Sequence, residues 1–324
     1  MPAALMAAVC LFSASAAVAD EQAASGFDCR QLAQRETPAS PIAWLERSLW
    51  ASHCYLFQAR AVRISSGGVR TLALSHEIRD GVEREVASYL DGPAVVYERQ
   101  GRIARDGLPG LAASGVSPQA SLPAIEEHYR LSLGGESRIA GRQSTRLDIE
   151  PLDSLRYGHR LWLDRATGLP LKQVLIDVDG QIIETFQMTE LGQPTLHAGR
   201  VEFDALPEMP PQPWQPGWMP PGYRSLALPR ASSIDPLPLG QRLYSDGLAS
   251  FSVFIEPLKT RDRALYPGLH RLGISHAAVR HLRVAEQIYQ VVVMGEVPPE
   301  VLRRVAAQIE YRPEDSAQAR ANAQ

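Results

Sequence analysis

A cluster of prolines, two thirds of the way along the chain, limits the fold more than any other feature. Between positions 207 and 221 there are seven prolines: 207, 210, 211, 213, 216, 220 and 221. Proline has no backbone N–H donor and a fixed φ, so this density blocks both helix formation and strand pairing. The segment 207–221 therefore predicts an extended, stiff linker. It separates a larger domain, residues 20–206, from a smaller one, residues 222–312, with a frayed polar tail at 313–324.

The linker also carries two tryptophans, Trp214 and Trp218. Their large apolar rings are costly to leave in water. We expect at least one of them to pack against a domain and so to fix the connection between the two.

The N-terminus is typical of a secretory signal. Residues 3–18 are small or apolar and end in the cleavage pattern Ala17-Val18-Ala19. No Lys or Arg precedes Arg30, so either the start codon is assigned too late or the signal is atypical. The apolar stretch is too short to span a membrane, and no longer one follows. We expect a signal peptide at 1–19 and an exported, soluble product.

The mature chain keeps two cysteines, Cys29 and Cys54. A pair in an exported protein suggests a disulfide, and the alternative is two buried free thiols. The loop between them contains an amphipathic pattern from Pro41 to Ser52, with Ser40 as N-cap. A metal site at the cysteines is not expected, because neither has a nearby CxxC or HxxxH partner.

Alternating apolar residues and turn signals predict many short antiparallel strands in the larger domain. The strands are expected at 55–62, 69–78, 83–90, 94–98, 136–140, 145–151, 158–164, 171–178 and 181–190. A short helix is expected at 122–129, and a loop at 109–123. Ile182, Phe186 and Met188 are placed on one face of the last strand. Many antiparallel strands with few helices indicate a curved sheet or open barrel.

The smaller domain contains the clearest strand of the chain, residues 250–256, after the turn Tyr244-Ser245-Asp246-Gly247. Phe251, Val253 and Ile255 point to one face. Phe254 lies on the other face, among Ser250, Ser252 and Glu256, where a large aromatic side chain needs cover. A further strand is expected at 288–294. A closing helix follows, with a buried stripe of Val301, Leu302, Val305 and Ile309.

Motifs for catalysis, cofactors and metals are missing from the sequence. There is no GxSxG, Walker loop, GxGxxG or HExxH. Asp177-Val178-Asp179-Gly180 is interpreted as a hairpin turn, not a calcium loop. The histidines 270, 276 and 281 match no compact ligand set. Nothing pairs Asp164 with Glu150 or Asp153. We expect no enzyme activity, no cofactor and no metal, and a net charge of −3 argues against nucleic-acid binding.

Several separated segments resemble the RseB/MucB family, periplasmic regulators of an envelope-stress sigma factor. The segments are 90–93, Gly141-Arg142, the run Tyr157-Gly158-His159-Arg160-Leu161-Trp162-Leu163-Asp164 with its extension to Leu171, 214–223, the Tyr244 strand, and Met294-Gly295-Glu296-Val297-Pro298-Pro299. They cover most of the mature chain in the expected order. The two cysteines are not part of this pattern, and the segment 273–287 is divergent.

The resemblance implies an α+β, mainly antiparallel β fold. The larger domain would be a LolA/LolB-like unclosed β-barrel with a packed helix, and the smaller C-terminal domain an α/β module. The partner would be the periplasmic domain of an RseA- or MucA-like membrane anti-sigma factor. Binding would shield that partner from regulated proteolysis, and lipopolysaccharide or another mislocalised lipid would release it. A homo-oligomer stays open.

Candidate site residues follow from this reading. For partner binding they are Tyr244, Asp246, Phe251, Phe254, Trp214 and Trp218; cover of Phe254 by the larger domain is the alternative. For lipid binding they are Trp162, Leu175, Phe186 and Met188, which could equally fill a dry core. Two other functions are weighed: a periplasmic lipid or lipoprotein carrier of the LolA/LolB type, and an envelope hydrolase.

Overall fold

The structure is a computed structural model and describes residues 26–80, 82–101, 118–202, 212–226, 241–258 and 264–313. The expected signal peptide, residues 1–19, lies outside the described residues. So do positions 207–211 of the expected linker and all but the first residue of the expected tail. Within the described residues, no helix is long and apolar enough to cross a membrane.

The larger domain is built on one ten-stranded sheet. Its strands are β2 (Tyr55–Ser65), β3 (Gly68–Arg79), β4 (Val82–Tyr89), β5 (Val96–Gly101), β6 (Tyr129–Ile139), β7 (Arg142–Pro151), β8 (Gly158–Asp164), β9 (Pro170–Ile176), β10 (Ile182–Leu191) and β11 (Thr195–Leu196). The order is β5-β4-β3-β2-β10-β9-β8-β7-β6, with β11 on β2. Every pairing is antiparallel, and β5 and β6 do not pair with each other. The expected mainly antiparallel, unclosed sheet is therefore confirmed.

Helices cover one face of this sheet. They are α1 (Arg30–Gln34), α2 (Pro41–Cys54) and α3 (Pro118–His128). Ser40 caps α2 by accepting a hydrogen bond from Ala43 N, as expected from the sequence. The buried Trp44, Leu45 and Leu49 of α2 pack with apolar residues of β6, β7 and β8. Helix α3 begins at Pro118, inside the segment expected to be a loop.

Cys29 and Cys54 form a disulfide, with their Cα atoms 5.4 Å apart. It joins the residue before α1 to the last residue of α2. Beside it, β1 (Gly26–Asp28) pairs with β12 (Arg200–Glu202), and Phe27 stacks on Trp50 at 3.9 Å between ring centroids. The N-terminal strand of the described chain is thus held against the core helix α2.

In its described residues, the smaller domain is a six-stranded antiparallel sheet with one helix. Its strands are β14 (Arg224–Leu226), β15 (Arg242–Ser245), β16 (Ser250–Pro257), β17 (Gly268–Leu272), β18 (Ser275–Val284) and β19 (Gln287–Gly295), in the order β14-β15-β16-β19-β18-β17. Helix α4 (Pro299–Ala307) packs on β18 and β19. As expected, Phe251, Val253 and Ile255 are buried in one core with Val301, Leu302 and Val305.

Two details near the linker differ from the sequence-based expectation. β13 (Trp214–Pro216) pairs with β20 (Ile309–Tyr311), so prolines did not prevent a short ladder at the edge of this domain. Ile309 was expected on α4, but the helix ends at Ala307 and Ile309 enters the core from β20. The described part of the expected linker, residues 212–221, is therefore attached to the smaller domain through this ladder.

Ile182 of the larger sheet lies on the opposite face from the one that the sequence predicts. A register shift lies between Ile182 and Glu184 in the pairing of β10 with β9. As a consequence Ile182 is 62% exposed, whereas Met188 is 4% exposed. The expectation that Ile182 shares a face with Phe186 and Met188 was wrong, because a β-bulge breaks the period of two.

Candidate functional site between the two domains

The turn between β15 and β16 has a fixed conformation. Asp246 Oδ1 accepts hydrogen bonds from Leu248 N at 3.0 Å and Ala249 N at 2.8 Å. Ser245 Oγ donates to Ala249 O and accepts from Gly247 N. Gly247 has φ +101°, a conformation that favours glycine. The sequence Ser-Asp-Gly thus satisfies its own backbone groups and makes a rigid turn.

This turn is inserted into the larger domain. Leu248, 6% exposed, packs in the cluster formed by α2, α3 and the sheet. A Cβ placed on Gly247 would lie 3.2 Å from Ser121 Cβ and 3.3 Å from Ile125 Cγ1, both on α3. The most recognisable motif of the chain is therefore a docking element between domains.

A buried ion pair strengthens the same contact. Asp246 Oδ2 accepts from Arg156 Nη1 at 3.0 Å and from Tyr129 Oη at 2.8 Å. Both charged side chains of the ion pair are completely buried. Arg156 also donates to both carboxylate oxygens of Asp153 and to Pro221 O. One guanidinium thus links the larger sheet, the docking turn and the end of the linker; we call Arg156 and Asp246 the interdomain latch.

Aromatic rings surround the latch. The Arg156 guanidinium lies 5.5 Å from the ring centroids of both Tyr129 and Tyr223. Burial, followed by the charge of Asp246, raises the pKa of the Tyr129 phenol well above its usual value. Burial likewise raises the pKa of Tyr223. Both phenols stay neutral over the physiological range, so Asp246 is balanced mainly by Arg156.

Two adjacent cavities have walls that come from both domains. The inner cavity, about 460 Å³, lies within the unclosed sheet and is lined chiefly by apolar side chains of β2, β3, β4, β5 and β10. These side chains are Phe57, Leu72, Leu74, Ala87, Tyr89, Tyr97, Phe186 and Met188. The interdomain cavity, about 430 Å³, lies between β8–β10 of the larger domain and β16, β18 and β19 of the smaller one.

The smaller domain closes part of the inner cavity. Leu272, Ile274 and Ser275, at the turn between β17 and β18, form part of its wall. Ile274 is 5% exposed and packs with Tyr157 and Leu175 of the larger domain. A ligand in the inner cavity therefore touches both domains.

Charged groups lie where the two cavities meet. Arg63 Nε contacts Glu184 Oε2 at 2.5 Å, and Glu296 faces the same pair from the smaller domain. Burial, followed by the charge of Glu184, raises the pKa of Glu296 to about 7. Burial also raises the pKa of Glu184, against the opposing effect of Arg63. The interface thus holds two carboxylates that resist ionisation and one guanidinium.

His159 is a further buried group at this interface. It lines the interdomain cavity, and neither ring nitrogen has a hydrogen-bond partner. Burial lowers its pKa to about 4. The imidazole is therefore neutral at physiological pH.

The residues predicted for partner binding fall into two groups. Tyr244, Asp246, Phe251 and Trp214 are at most 8% exposed, in the core or the latch. Their side chains cannot meet a partner in this conformation without a rearrangement. Phe254 and Trp218 are half-buried. Phe254 lines the interdomain cavity, and Trp218 lies under the Arg304 guanidinium at 3.9 Å.

The residues predicted for lipid binding also divide. Phe186 and Met188 line the inner cavity, and Leu175 lines the interdomain cavity. Trp162 pairs with Lys172 across the strands and lies on the opposite face of the sheet, with Lys172 Nζ 4.8 Å from its ring centroid. The expectation that Trp162 is an inner position was wrong, because its neighbours Leu161 and Leu163 occupy that face.

Sequence reasoning missed Arg156, Tyr129, Glu184 and Glu296. The only available signal was indirect: Arg156 immediately precedes the Tyr157 motif, and Glu296 lies inside the Met294-Gly295-Glu296 motif. Neither motif reveals a partner 90 residues away in the chain, such as Asp246 for Arg156.

Family models match both parts of this architecture. Residues 40–215 match the MucB/RseB N-terminal domain, and residues 208–310 match the MucB/RseB C-terminal domain. The chain belongs to the MucB/RseB family.

Individual relatives extend over nearly the same range. The sigma factor AlgU regulatory protein MucB of Pseudomonas aeruginosa is 35% identical over 301 residues, which cover 85% of this chain and 92% of that protein. The sigma-E factor regulatory protein RseB of Salmonella typhimurium is 28% identical, with the same coverage. Among solved structures, MucB in the Pseudomonas aeruginosa MucA/MucB complex has a TM-score of 0.63 at 32% identity, covering 85% of this chain and 99% of that one.

Proposed function

We propose that this protein is a periplasmic negative regulator of an extracytoplasmic stress sigma factor. It binds the periplasmic domain of a membrane-spanning anti-sigma factor, shields it from regulated proteolysis, and releases it when lipopolysaccharide or another mislocalised lipid binds. The observation that carries the proposal is the match, over 85% of this chain, to relatives named as sigma factor regulatory proteins. A related structure described as a MucA/MucB complex supports the choice of partner. Residues 1–19 would direct export.

The chemistry of the inner cavity supports a lipid ligand. Its volume of about 460 Å³ lies within the usual range of small-molecule sites, and its lining is largely apolar. Each methylene of an acyl chain buried there contributes about 0.8 kcal/mol. Arg63 at the edge of the cavity provides a guanidinium for a headgroup phosphate, although it must then share its charge with Glu184.

The position of the cavity supports coupling between lipid and partner. A lipid that needs more room must displace Leu272 and Ile274 of the smaller domain. Such a displacement shifts the balance between docked and undocked domains, and a partner that prefers one arrangement responds to it. Coupling between two binding sites is reciprocal. The bound partner must therefore weaken lipid binding by the same factor by which the bound lipid weakens partner binding.

We infer that the partner surface includes the half-buried Phe254 and Trp218. Both rings are partly exposed, and Trp218 packs against the edge of the smaller domain's core. Phe254 borders the interdomain cavity, so a partner that covers it also senses the arrangement of the domains. Rings of this kind are frequent binding hot spots.

The deciding experiment is a protease-protection assay. The purified periplasmic domain of the cognate anti-sigma factor is digested with and without this protein, and lipopolysaccharide is then titrated in. We expect protection that lipid reverses. Protection that lipid leaves intact would retain the regulator but exclude this lipid as its signal. Absence of binding would contradict the proposal and favour a lipid carrier, the alternative that the inner cavity permits.

A matched pair of variants tests the cavity itself. Phe186→Ser removes an aromatic side chain from the cavity lining, and Trp162→Ser removes one from the opposite face of the same sheet. We expect Phe186→Ser to need at least tenfold more lipid for release, because apolar contact is lost. Trp162→Ser should behave as the wild type. Equal effects of the two substitutions would exclude the inner cavity as the lipid site.

A further inference from the structure

The interdomain cavity is lined by hydrogen-bonding groups from both domains. On the larger domain, His159, Leu175 and Glu184 lie side by side on β8, β9 and β10, because Leu175 pairs with both of the others. The facing wall comes from the smaller domain and presents four further polar side chains: Ser250, Ser252, Ser275 and Glu296. A volume of about 430 Å³ lies within the range of small-molecule sites. The cavity therefore has the size and the polar groups of a ligand site.

The charge of this lining has one sign. Glu184 and Glu296 line the cavity, and none of the described residues around it is Lys or Arg. Glu184 has a counter-ion in Arg63, which lines the inner cavity instead. Glu296 has no hydrogen bond and no ion pair in the part of the chain that the structure describes. A half-buried carboxylate without a counter-ion in contact is costly, so a cation in the cavity would stabilise its ionised form.

His159 indicates the same kind of ligand. It is 6% exposed, and neither ring nitrogen has a hydrogen-bond partner among the described residues. Burial lowers the pKa of the imidazole to about 4, so the ring is neutral at physiological pH. A neutral imidazole carries one nitrogen lone pair, and a buried acceptor that stays unpaired is costly. A ligand that brings N–H donors into this cavity satisfies that lone pair.

We propose that the interdomain cavity binds the terminal ammonium group of an aliphatic amine. An ammonium group has three N–H donors and no acceptor. Glu296 supplies a charged acceptor, while His159 and the serine hydroxyls of the facing wall supply neutral ones. The methylene groups behind the ammonium pack against Leu175 and Phe254, which are apolar members of the same lining.

An ammonium group of this kind comes either from a free small amine or from a lysine side chain of the anti-sigma partner. Phe254 borders the cavity and belongs to the partner surface inferred above, so a partner segment that covers Phe254 lies at the cavity entrance. Only the lysine source rests on the proposed function. The site itself rests on the chemistry of its lining.

The test is a titration of the purified protein with n-pentylamine, followed by calorimetry at pH 8. The amine is protonated there, because its pKa is close to that of lysine, about 10.4. The matched neutral probe is n-pentanol, with a hydroxyl in place of the ammonium group. We expect one pentylamine per chain with a dissociation constant of about 1 mM or below. Pentanol should bind about 10–100-fold more weakly, because a charged hydrogen bond is lost.

Two variants and a control locate the ammonium group. Glu296→Gln keeps the shape of the side chain but not its charge, and should weaken pentylamine binding by about 10–100-fold. His159→Leu removes a neutral acceptor and should weaken binding by about 2–10-fold. Glu286→Gln changes an exposed carboxylate of the same domain and should stay within about twofold of the wild type, because exposed charges contribute little.

Three results would overturn the proposal. They are a wild type without pentylamine binding up to about 10 mM, pentanol binding as tight as pentylamine binding, and a Glu296→Gln variant that binds pentylamine as tightly as Glu286→Gln does. Circular dichroism checks that each variant folds. If His159→Leu does not fold, Glu296→Gln decides the test.

A competition titration distinguishes the two sources of the ammonium group. Pentylamine is titrated into the protein after saturation with the periplasmic domain of the anti-sigma factor. Loss of pentylamine binding would assign the cavity to a lysine of the partner, and unchanged binding would assign it to a free amine. If the anti-sigma domain itself does not bind, the proposed function fails, and the titration of the free protein still decides the site.

Discussion

Arg156 and Asp246, 90 residues apart in the chain, form an ion pair at 3.0 Å in which neither side chain reaches solvent. The pair joins the two domains at the turn that carries the most recognisable motif of the sequence. Burial of two charges gains little over an apolar contact of the same shape, but removal of one partner leaves the other unpaired and is costly. The latch therefore favours one particular docked arrangement of the two domains. When the latch is broken, that arrangement is easily lost.

Asp246→Ala should lower the free energy of unfolding by about 3–5 kcal/mol, measured by urea denaturation, because Arg156 loses its fully buried counter-ion and keeps only the partly exposed Asp153, and because the docking turn loses the two backbone hydrogen bonds that Asp246 Oδ1 accepts. Small-angle scattering should also record a larger radius of gyration as the domains separate. The control is Glu136→Ala, which breaks the exposed Arg165–Glu136 pair at 2.6 Å. That variant should lose less than about 1 kcal/mol. A similar loss in both variants would contradict the latch.

The disulfide should stabilise the larger domain. Simultaneous replacement of Cys29 and Cys54 by serine opens a loop of 25 residues. We expect the free energy of unfolding to fall by about 2–4 kcal/mol, because the unfolded chain regains conformational freedom. The measurement is urea denaturation of the variant beside the oxidised wild type. Reduction of the wild type with dithiothreitol should reproduce the variant, and a reduced wild type of unchanged stability would contradict this account.

The sequence predicts those elements whose signal is local. The period of two in β16 and the Ser40 cap with Pro41 at the start of α2 are examples. Both depend on residues a few positions apart, and both agree with the structure. The unclosed antiparallel sheet also follows from strands joined by short turns.

Features that depend on contacts between distant strands were not predictable. The β-bulge before Glu184 turns Ile182 to solvent, and the spacing of Ile182, Phe186 and Met188 does not indicate it. Trp162 was assigned to the wrong face because alternation alone does not say which face is covered. The latch joins residues 90 positions apart in the chain, which spacing along one strand does not contain.

Stability should depend on pH through Glu296. Its pKa is raised to about 7 in the folded protein by burial and by Glu184, while the unfolded value is near 4.5. The folded state therefore binds the proton more tightly. Its contribution to stability is fully present below about pH 4.5 and is lost as the pH rises through about 7. Glu184 shifts in the same direction, whereas His159, with its pKa lowered to about 4, acts in the opposite one.

A comparison of Glu296→Gln with the wild type isolates the contribution of Glu296 to the pH dependence of stability. Glu296→Gln should match the wild type near pH 5 and be the more stable of the two near pH 8, measured by urea denaturation. The affinity for the anti-sigma domain is also measured at both pH values. If domain docking controls binding, the ratio of the two affinities should differ between Glu296→Gln and the wild type. Glu286→Gln removes an exposed carboxylate of the same domain and should keep the wild-type pH profile. A profile of Glu296→Gln that is parallel to the wild type would exclude Glu296 as the titrating group.

Gly247 tests whether the docking turn is rigid. Gly247→Ala places a methyl group 3.2 Å from Ser121 Cβ and 3.3 Å from Ile125 Cγ1, at φ +101°. Two costs then add: the backbone strain of an L-residue at positive φ, about 1 kcal/mol, and the steric clash with α3. Gly180→Ala, at φ +79° in the β9–β10 turn with nothing within 4 Å, carries the strain alone. We expect Gly247→Ala to lose at least 1 kcal/mol more stability than Gly180→Ala by urea denaturation. Equal losses of stability in the two variants would mean that α3 shifts to make room for the methyl group. The tight contact at Gly247 would then not hold the domains together.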